Sequence, residues 1–95
     1  MSDDQHVLGE AGLRFAERIK AFRKALDWSA QKLADRLAEQ GHPELTRVAI
    51  SKIENLARGI SLDEAVAFCE AFGVGIAEMV GAEPYRFEIK VEVVL

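Results

Sequence analysis

The chain has 95 residues, 49% of them apolar, and a formal net charge of −4. This length predicts one domain with a single small core. A single cysteine, Cys69, excludes an internal disulfide, and no apolar run approaches the ~20 residues of a membrane span. The opening segment MSDDQHVLGE has no continuous apolar stretch, so we expect no signal peptide and a cytoplasmic protein.

The charge is unevenly distributed along the chain. Residues 1–12 carry three acids and no Lys or Arg, whereas residues 13–59 carry ten Lys/Arg against six Asp/Glu. Residues 60–95 are acidic again, with two basic residues against seven acids. The basic centre favours a nucleic-acid partner, and the acidic ends predict weak non-specific affinity, because that affinity grows with the number of phosphates neutralised.

Apolar periodicity predicts five helices, preceded by a mobile lead-in at residues 1–12 and contained in a domain at residues 13–81. The first runs from Leu13 to Leu26, with an apolar face formed by Leu13, Ala16, Ile19, Phe22 and Leu26. Ser29 caps the second, which ends near Glu39 before a polar turn and buries Leu33, Ala34 and Leu37.

The third helix is capped by Thr46, with Ile50 and Ile53 facing the core and Val48 exposed. A capping box of Ser61 and Glu64 begins the fourth helix, and Gly73 ends it. Its predicted buried residues are Leu62, Ala65, Val66, Phe68, Cys69 and Phe72, so Cys69 is interpreted as a core residue. The fifth helix is Ile76–Val80, with Ile76, Met79 and Val80 packing back on the core.

Residues 82–95 differ from the rest, because Tyr85–Leu95 alternates apolar and polar residues and predicts a β-strand. A lone strand needs a partner, so we interpret it as a dimerisation strand that pairs antiparallel with its own copy. A two-fold axis at Ile89 or at Val91 sets opposite charges against each other, and both registers remain open. The apolar face, which must also rest on helix four or five, consists of Phe87, Ile89, Val91, Val93 and Leu95.

Residues from about Phe15 to Val80 resemble the helix-turn-helix domain of the phage lambda repressor/Cro type, also called the XRE family. The most specific matching words are Leu33-Ala34-Asp35-Arg36-Leu37 and Ile50-Ser51-Lys52-Ile53-Glu54-Asn55. Further matches are Arg18-Ile19-Lys20 with Arg23, Trp28-Ser29, Ser61-Leu62-Asp63-Glu64 and Phe72-Gly73-Val74. The resemblance implies a five-helix fold whose third helix lies in the DNA major groove.

The resemblance also implies roles for residues at matching positions. The residues expected to read bases are Thr46, Arg47, Val48, Ser51 and Lys52. Asn55 is expected to contact a phosphate, and we add Gln31 and Arg58 to the predicted phosphate contacts. Arg23 and Glu54 stand where the family has an ion pair between helices one and three.

Three departures from the family pattern alter these expectations. Ala30 occupies the position of the family's phosphate-binding Gln, and Gln31 follows one residue later. Leu56 replaces the usual Gly after Glu-Asn, so we expect a different turn there, since a left-handed leucine is strained. The connection between helices two and three is longer than the family's minimal turn by residues 41–45.

These patterns predict a dimeric, sequence-specific DNA-binding transcriptional regulator, a phage or bacterial repressor that reads a palindromic operator. The alternative is an antitoxin or adaptor that binds a protein partner through the C-terminal strand. No catalytic cluster, phosphate-binding loop or metal-ligand spacing is visible, so we expect neither an enzyme nor a cofactor.

Overall fold

The computed structural model describes residues 9–81, which form a mainly helical unit without a strand. The predicted strand at Tyr85–Leu95, and with it the dimer contact, lies outside these residues. The helices are α1 Glu10–Ala25, α2 Ala30–Glu39, α3 Arg47–Glu54, α4 Leu62–Phe72 and α5 Ile76–Val80. The five predicted helices are therefore present, although α1 begins at Glu10, three residues before the predicted start and inside the predicted lead-in.

The N-terminal caps agree with the prediction at three helices. The hydroxyls of Ser29, Thr46 and Ser61 each accept a hydrogen bond from the backbone N–H three residues further on. At α4 the capping box is complete, because the Glu64 carboxylate accepts the backbone N–H of Ser61 at 3.0 Å. These bonds satisfy N–H groups that have no partner inside a helix.

The C-terminal ends of α1 to α4 share one hydrogen-bond pattern, the Schellman motif. In α3, the N–H of Ala57 donates to the carbonyl of Lys52 at 2.7 Å, and that of Leu56 donates to Ile53 at 3.0 Å. The motif requires one left-handed residue, which is Gly41 after α2 and Gly73 after α4. Asp27 (φ 60°) and Leu56 (φ 62°) fill the same position after α1 and α3. The prediction of a different turn at Leu56 was wrong, because the two hydrogen bonds and the buried end of α3 hold leucine in this conformation.

The core lies where α1 packs against α3, α4 and α5 and where α2 packs against α3 and α4. Ring stacking extends across it, with Phe72 placed between Phe22 at 5.4 Å and Trp28 at 6.1 Å between centroids. The buried apolar residues are Phe15, Ala16, Ile19, Phe22, Leu33, Ala34, Leu37, Leu45, Ile50, Ile53, Ala65, Ala67, Phe68, Cys69, Phe72 and Met79.

Five residues that were predicted to face the core are exposed instead: Leu13, Leu26, Leu62, Val66 and Ile76. Leu62 and Ile76 are the first residues of α4 and α5, and Leu26 follows the last residue of α1. Positions at helix ends project beyond the neighbouring helices, so apolar spacing alone overstates their burial. On α1 the buried side includes Phe15 in place of Leu13.

Two arginines of α1 hold the end of α5. The Nε–H of Arg14 donates to the carbonyl of Val80, and an Nη1–H of Arg18 donates to the carbonyl of Glu78, each at 2.7 Å. Terminal helix carbonyls lack partners within the helix, and a cation at that end also interacts favourably with the negative end of the helix dipole. A five-residue helix thereby acquires a fixed position on α1.

Candidate nucleic-acid interface

Helix α3 has one buried side and one exposed side. Ile50 and Ile53 are fully buried, and the hydroxyl of Thr46 begins the helix by accepting the N–H of Ala49 at 3.2 Å. The exposed side carries the predicted base-reading residues Arg47, Val48, Ser51 and Lys52. The structure therefore brings these residues together on one surface, which we call the α3 face and take to include Thr46.

The α3 face combines cations, hydroxyls and one apolar side chain. Within residues 9–81, the side chains of Arg47 and Lys52 make no hydrogen bond or ion pair, so their N–H groups are available to a ligand. The Ser51 hydroxyl accepts a hydrogen bond from the Asn55 amide at 3.3 Å. Val48 is 51% exposed, which agrees with its prediction as a surface residue. Such a set offers donors to base and phosphate oxygens and an apolar contact to thymine methyl groups.

The connection between α2 and α3 is anchored by Leu45, which is fully buried. The N–H of His42 donates to the carbonyl of Leu37 at 2.9 Å, and the amide of Gln40 donates to the carbonyl of Ala67 at 3.3 Å. At the surface, the pKa of Glu44 is lowered by its own backbone N–H and by His42. The inserted residues thus set where α3 begins. Sequence reasoning missed Leu45, although it is the one large apolar residue in an otherwise polar turn.

Arg23 and Glu54 form the ion pair that the resemblance implies. The Arg23 Nε and Nη2 groups donate to the two Glu54 carboxylate oxygens at 2.9 and 3.0 Å. A third bond runs from Arg23 Nη1 to the carbonyl of Trp28 at 3.0 Å. The two side chains are 14% and 7% exposed, and the hydrogen bond to Glu54 raises the pKa of Arg23. Arg23 therefore fixes the last residue of α3 relative to α1 and the start of α2.

Helix α2 carries one predicted phosphate contact, Gln31, on its exposed side. The Gln31 amide donates to the carboxylate of Asp35 at 2.9 Å, one helical turn further along. Arg36 lies over the indole of Trp28 at 5.1 Å from the ring centroid. This cation–π contact joins α2 to the aromatic stack of the core.

Arg58 is engaged within the chain. Its Nη1 and Nη2 groups donate to the two carboxylate oxygens of Glu64, each at 3.1 Å, and Nη1 also donates to the carbonyl of Gly59 at 2.8 Å. This guanidinium lowers the pKa of Glu64 below its ordinary value. Phosphate contact by Arg58 stays a prediction, and it competes with the bond that joins Arg58 to the capping box of α4.

Two further features bear on function. Among residues 9–81, no group of three or more His, Cys, Asp or Glu side chains is placed to hold a metal ion. None of the helices in this part of the chain is long and apolar enough to cross a membrane. The predicted dimerisation residues Phe87, Ile89, Val91, Val93 and Leu95 lie outside the described region.

The fold and the α3 face define a class of protein. Two helices of similar length, α2 and α3, are joined by a turn inside a five-helix unit, and the second presents an exposed polar surface. A helix-turn-helix family model matches residues 19–79, which is more than half of the chain. The chain therefore belongs to the XRE-type helix-turn-helix family of DNA-binding transcription regulators. Comparisons with curated proteins and with solved structures found no match.

Proposed function

We propose that the protein is a sequence-specific DNA-binding transcriptional repressor that reads base edges with the α3 face. The observation that carries this proposal is the pair of cations, Arg47 and Lys52, exposed without a partner in residues 9–81 beside Val48 and Ser51. The opposite side of α3 is fully buried, and the end of the helix is fixed by the Arg23–Glu54 pair. A reading helix needs this combination, because base discrimination depends on a fixed geometry of its donors.

Each residue of the α3 face has a chemical role in the proposal. Arg47, the first residue of α3, donates two hydrogen bonds to O6 and N7 of a guanine. Val48 contacts a thymine methyl group, while Thr46 and Ser51 exchange hydrogen bonds with base edges. Lys52 lies one turn further along and reads a base. Asn55 and Gln31 bind phosphates, and they set the register of the helix in the groove.

The proposed regulator acts in the cytoplasm as a homodimer. One α3 reads half of a site, and two copies related by a two-fold axis place their reading helices about 34 Å apart, which matches one turn of DNA. The apolar alternation of residues 85–95 supports pairing of the two C-terminal segments. A palindromic operator follows from that symmetry, and repression follows when the dimer occupies a promoter.

Selection of bound sequences from random double-stranded DNA tests the proposal. We expect a palindromic consensus, and we expect Arg47→Ala to weaken binding by roughly 10- to 100-fold and to relax the preference at one position per half-site. Lys52→Ala is expected to act on a second position. Lys20→Ala removes an exposed lysine from α1 and serves as the control, with an unchanged consensus. If neither Arg47→Ala nor Lys52→Ala changes affinity or consensus, α3 is not the reader.

A second candidate is an antitoxin or adaptor that binds a protein partner through residues 85–95. The acidic charge of residues 60–95 and the apolar alternation of the last eleven residues favour it. Copurification with a stoichiometric partner, together with weak binding to every DNA sequence selected, would favour this candidate over the repressor.

A further inference from the structure

Helices α4 and α5 leave three large apolar side chains exposed within residues 9–81. Leu62 is 78% exposed, Ile76 49% and Val66 48%. These side chains line two adjoining depressions of about 340 and 450 Å³ that share Leu62 and Ile76. We call this surface the α4–α5 groove; its main apolar residues are Ile60, Leu62, Val66, Val74, Ile76 and Val80.

The α4–α5 groove is a candidate docking surface. Scattered apolar residues are normal on a protein surface, whereas adjoining apolar depressions are typical of surfaces that bind a partner or a ligand. Among residues 9–81, Glu70 is the one charged residue that lines either depression. The groove therefore offers little to an anionic ligand such as DNA, and it offers a continuous contact to an apolar segment.

We propose that the groove binds residues 85–95 of the same chain through Phe87, Ile89, Val91, Val93 and Leu95. The path of the chain supports this occupant, because the described residues end at Gly81, directly after the groove residue Val80. The 14 residues that follow span up to about 46 Å when extended, at ~3.3 Å per residue. Helix α4 has 11 residues and is about 16 Å long, so the segment reaches the whole groove.

The sequence of the segment complements the groove. Five apolar residues occupy every second position from Phe87 to Leu95, so an extended chain would present them on one side, with Val94 on the other. Arg86, Glu88, Lys90 and Glu92 occupy the alternate positions, so the proposed docking leaves these charges on the solvent side. Attachment four residues before Tyr85 gives the segment a high effective concentration at its own groove, which favours the same chain over a second copy.

This docking goes beyond DNA reading and does not rest on it. It uses the apolar side of the segment and leaves the backbone edges available for pairing with a second copy. It also removes the exposed apolar side chains of α4 and α5 from water.

Thiol labelling in the full-length chain tests the proposal. Cys69→Ala removes the native thiol, and Val66→Cys then places a thiol in the groove. Val48→Cys, in the same background, places one at a site of matched exposure on α3 (51% against 48%). We expect Val66→Cys to react with a maleimide about tenfold more slowly than Val48→Cys, because the docked segment must open before the reagent enters.

Two charge-matched variants identify the occupant. Ile89→Asp with Val91→Asp adds two negative charges on the apolar side, and Lys90→Asp changes the charge equally on the other side. The double variant is expected to raise the Val66→Cys rate to that of Val48→Cys, and Lys90→Asp to leave it slow. Circular dichroism and an unchanged Val48→Cys rate show that the helices remain folded.

Three results overturn the proposal. Equal labelling rates of Val66→Cys and Val48→Cys, in chains whose residues 85–95 are unaltered, mean that the groove is open. Slow labelling of Val66→Cys that survives Ile89→Asp with Val91→Asp means that another surface covers it. Protection that disappears on dilution means that a second copy is the occupant. None of these measurements uses DNA, so failure here is distinct from failure of the proposed repressor function.

Discussion

Leu56 occupies a backbone conformation that leucine rarely adopts. It follows α3 with φ 62° and completes a Schellman motif, where Gly41 and Gly73 serve after α2 and α4. A side chain in this region clashes with the neighbouring carbonyl, at a cost of roughly 1–2 kcal/mol. Glycine avoids that cost but loses more backbone entropy on folding, by about 0.5–1 kcal/mol.

An alanine variant is usually more stable than a glycine variant. The balance of these two free-energy costs predicts the reverse order of stability at position 56. Leu56→Gly and Leu56→Ala both remove the side-chain contacts, so their difference isolates the backbone term. We expect the glycine variant to be more stable than the alanine variant by about 0.5–1 kcal/mol in urea unfolding. Ala57→Gly, at a position without positive φ, is the control and should lower the free energy of unfolding. If Leu56→Gly were less stable than Leu56→Ala, backbone strain at this position would be contradicted.

At the scale of elements, the Arg23–Glu54 pair holds α3 against α1. Both side chains are largely buried, and the arginine is bidentate, so removal of Glu54 leaves the Arg23 guanidinium without its counter-ion, with the Trp28 carbonyl as a remaining acceptor. We expect Glu54→Ala to lower the free energy of unfolding by about 3 kcal/mol. A double-mutant cycle with Arg23→Ala should give a coupling of about 1–2 kcal/mol. Strictly additive losses would mean that the two groups act separately.

The Glu64 carboxylate stabilises the start of α4 through two interactions. Glu64 accepts the Ser61 N–H of the capping box and binds Arg58, and the guanidinium lowers its pKa. A lowered pKa stabilises the folded chain at pH values above the ordinary pKa of glutamate. This contribution is lost as the pH falls through the lowered pKa of the folded state.

Glu64→Gln is therefore expected to cost about 1 kcal/mol at pH 7, with a difference from the parent that shrinks as the solution becomes acidic. Thermal unfolding between pH 7 and pH 3 measures this. Arg58→Met removes the main cause of the pKa shift, so the Glu64→Gln effect should be smaller and less dependent on pH in that background. An effect independent of pH in the parent would exclude the ion pair as its source.

The sequence was most informative where a local pattern decides the structure. Caps at Ser29, Thr46 and Ser61 satisfy backbone groups within three residues, so residue type alone reveals them. The α3 face follows from burial of Ile50 and Ile53, because the remaining positions of a short helix must be exposed. The engagement of Arg58 with Glu64 and of Arg14 with Val80 was not predicted. An arginine side chain reaches many acceptors, and its choice depends on how the loops and helices pack.

At the scale of the whole molecule, the charge distribution limits how one copy can bind DNA. Residues 13–59 are basic, while residues 60–95 carry seven acids against two basic residues. A single chain with net charge −4 gains little from general attraction to phosphates. Affinity must then come from specific contacts, and in the proposed homodimer two copies on one operator double them. We therefore expect the C-terminal segment, as the proposed dimer contact, to set whether the α3 face has enough affinity to regulate.

Removal of residues 83–95 is predicted to lower both the mass of the protein in solution and the salt dependence of its DNA affinity. A chain that ends at Ala82 should run as a monomer in size-exclusion light scattering, where we expect the 95-residue chain to run as a dimer. Each phosphate neutralised contributes about −0.9 to the slope of log affinity against log salt, so loss of one copy should roughly halve the slope on a palindromic site. Circular dichroism verifies that the shortened chain keeps its helices. A shortened chain that remains dimeric would place the dimer contact on the helical domain and not on Phe87–Leu95.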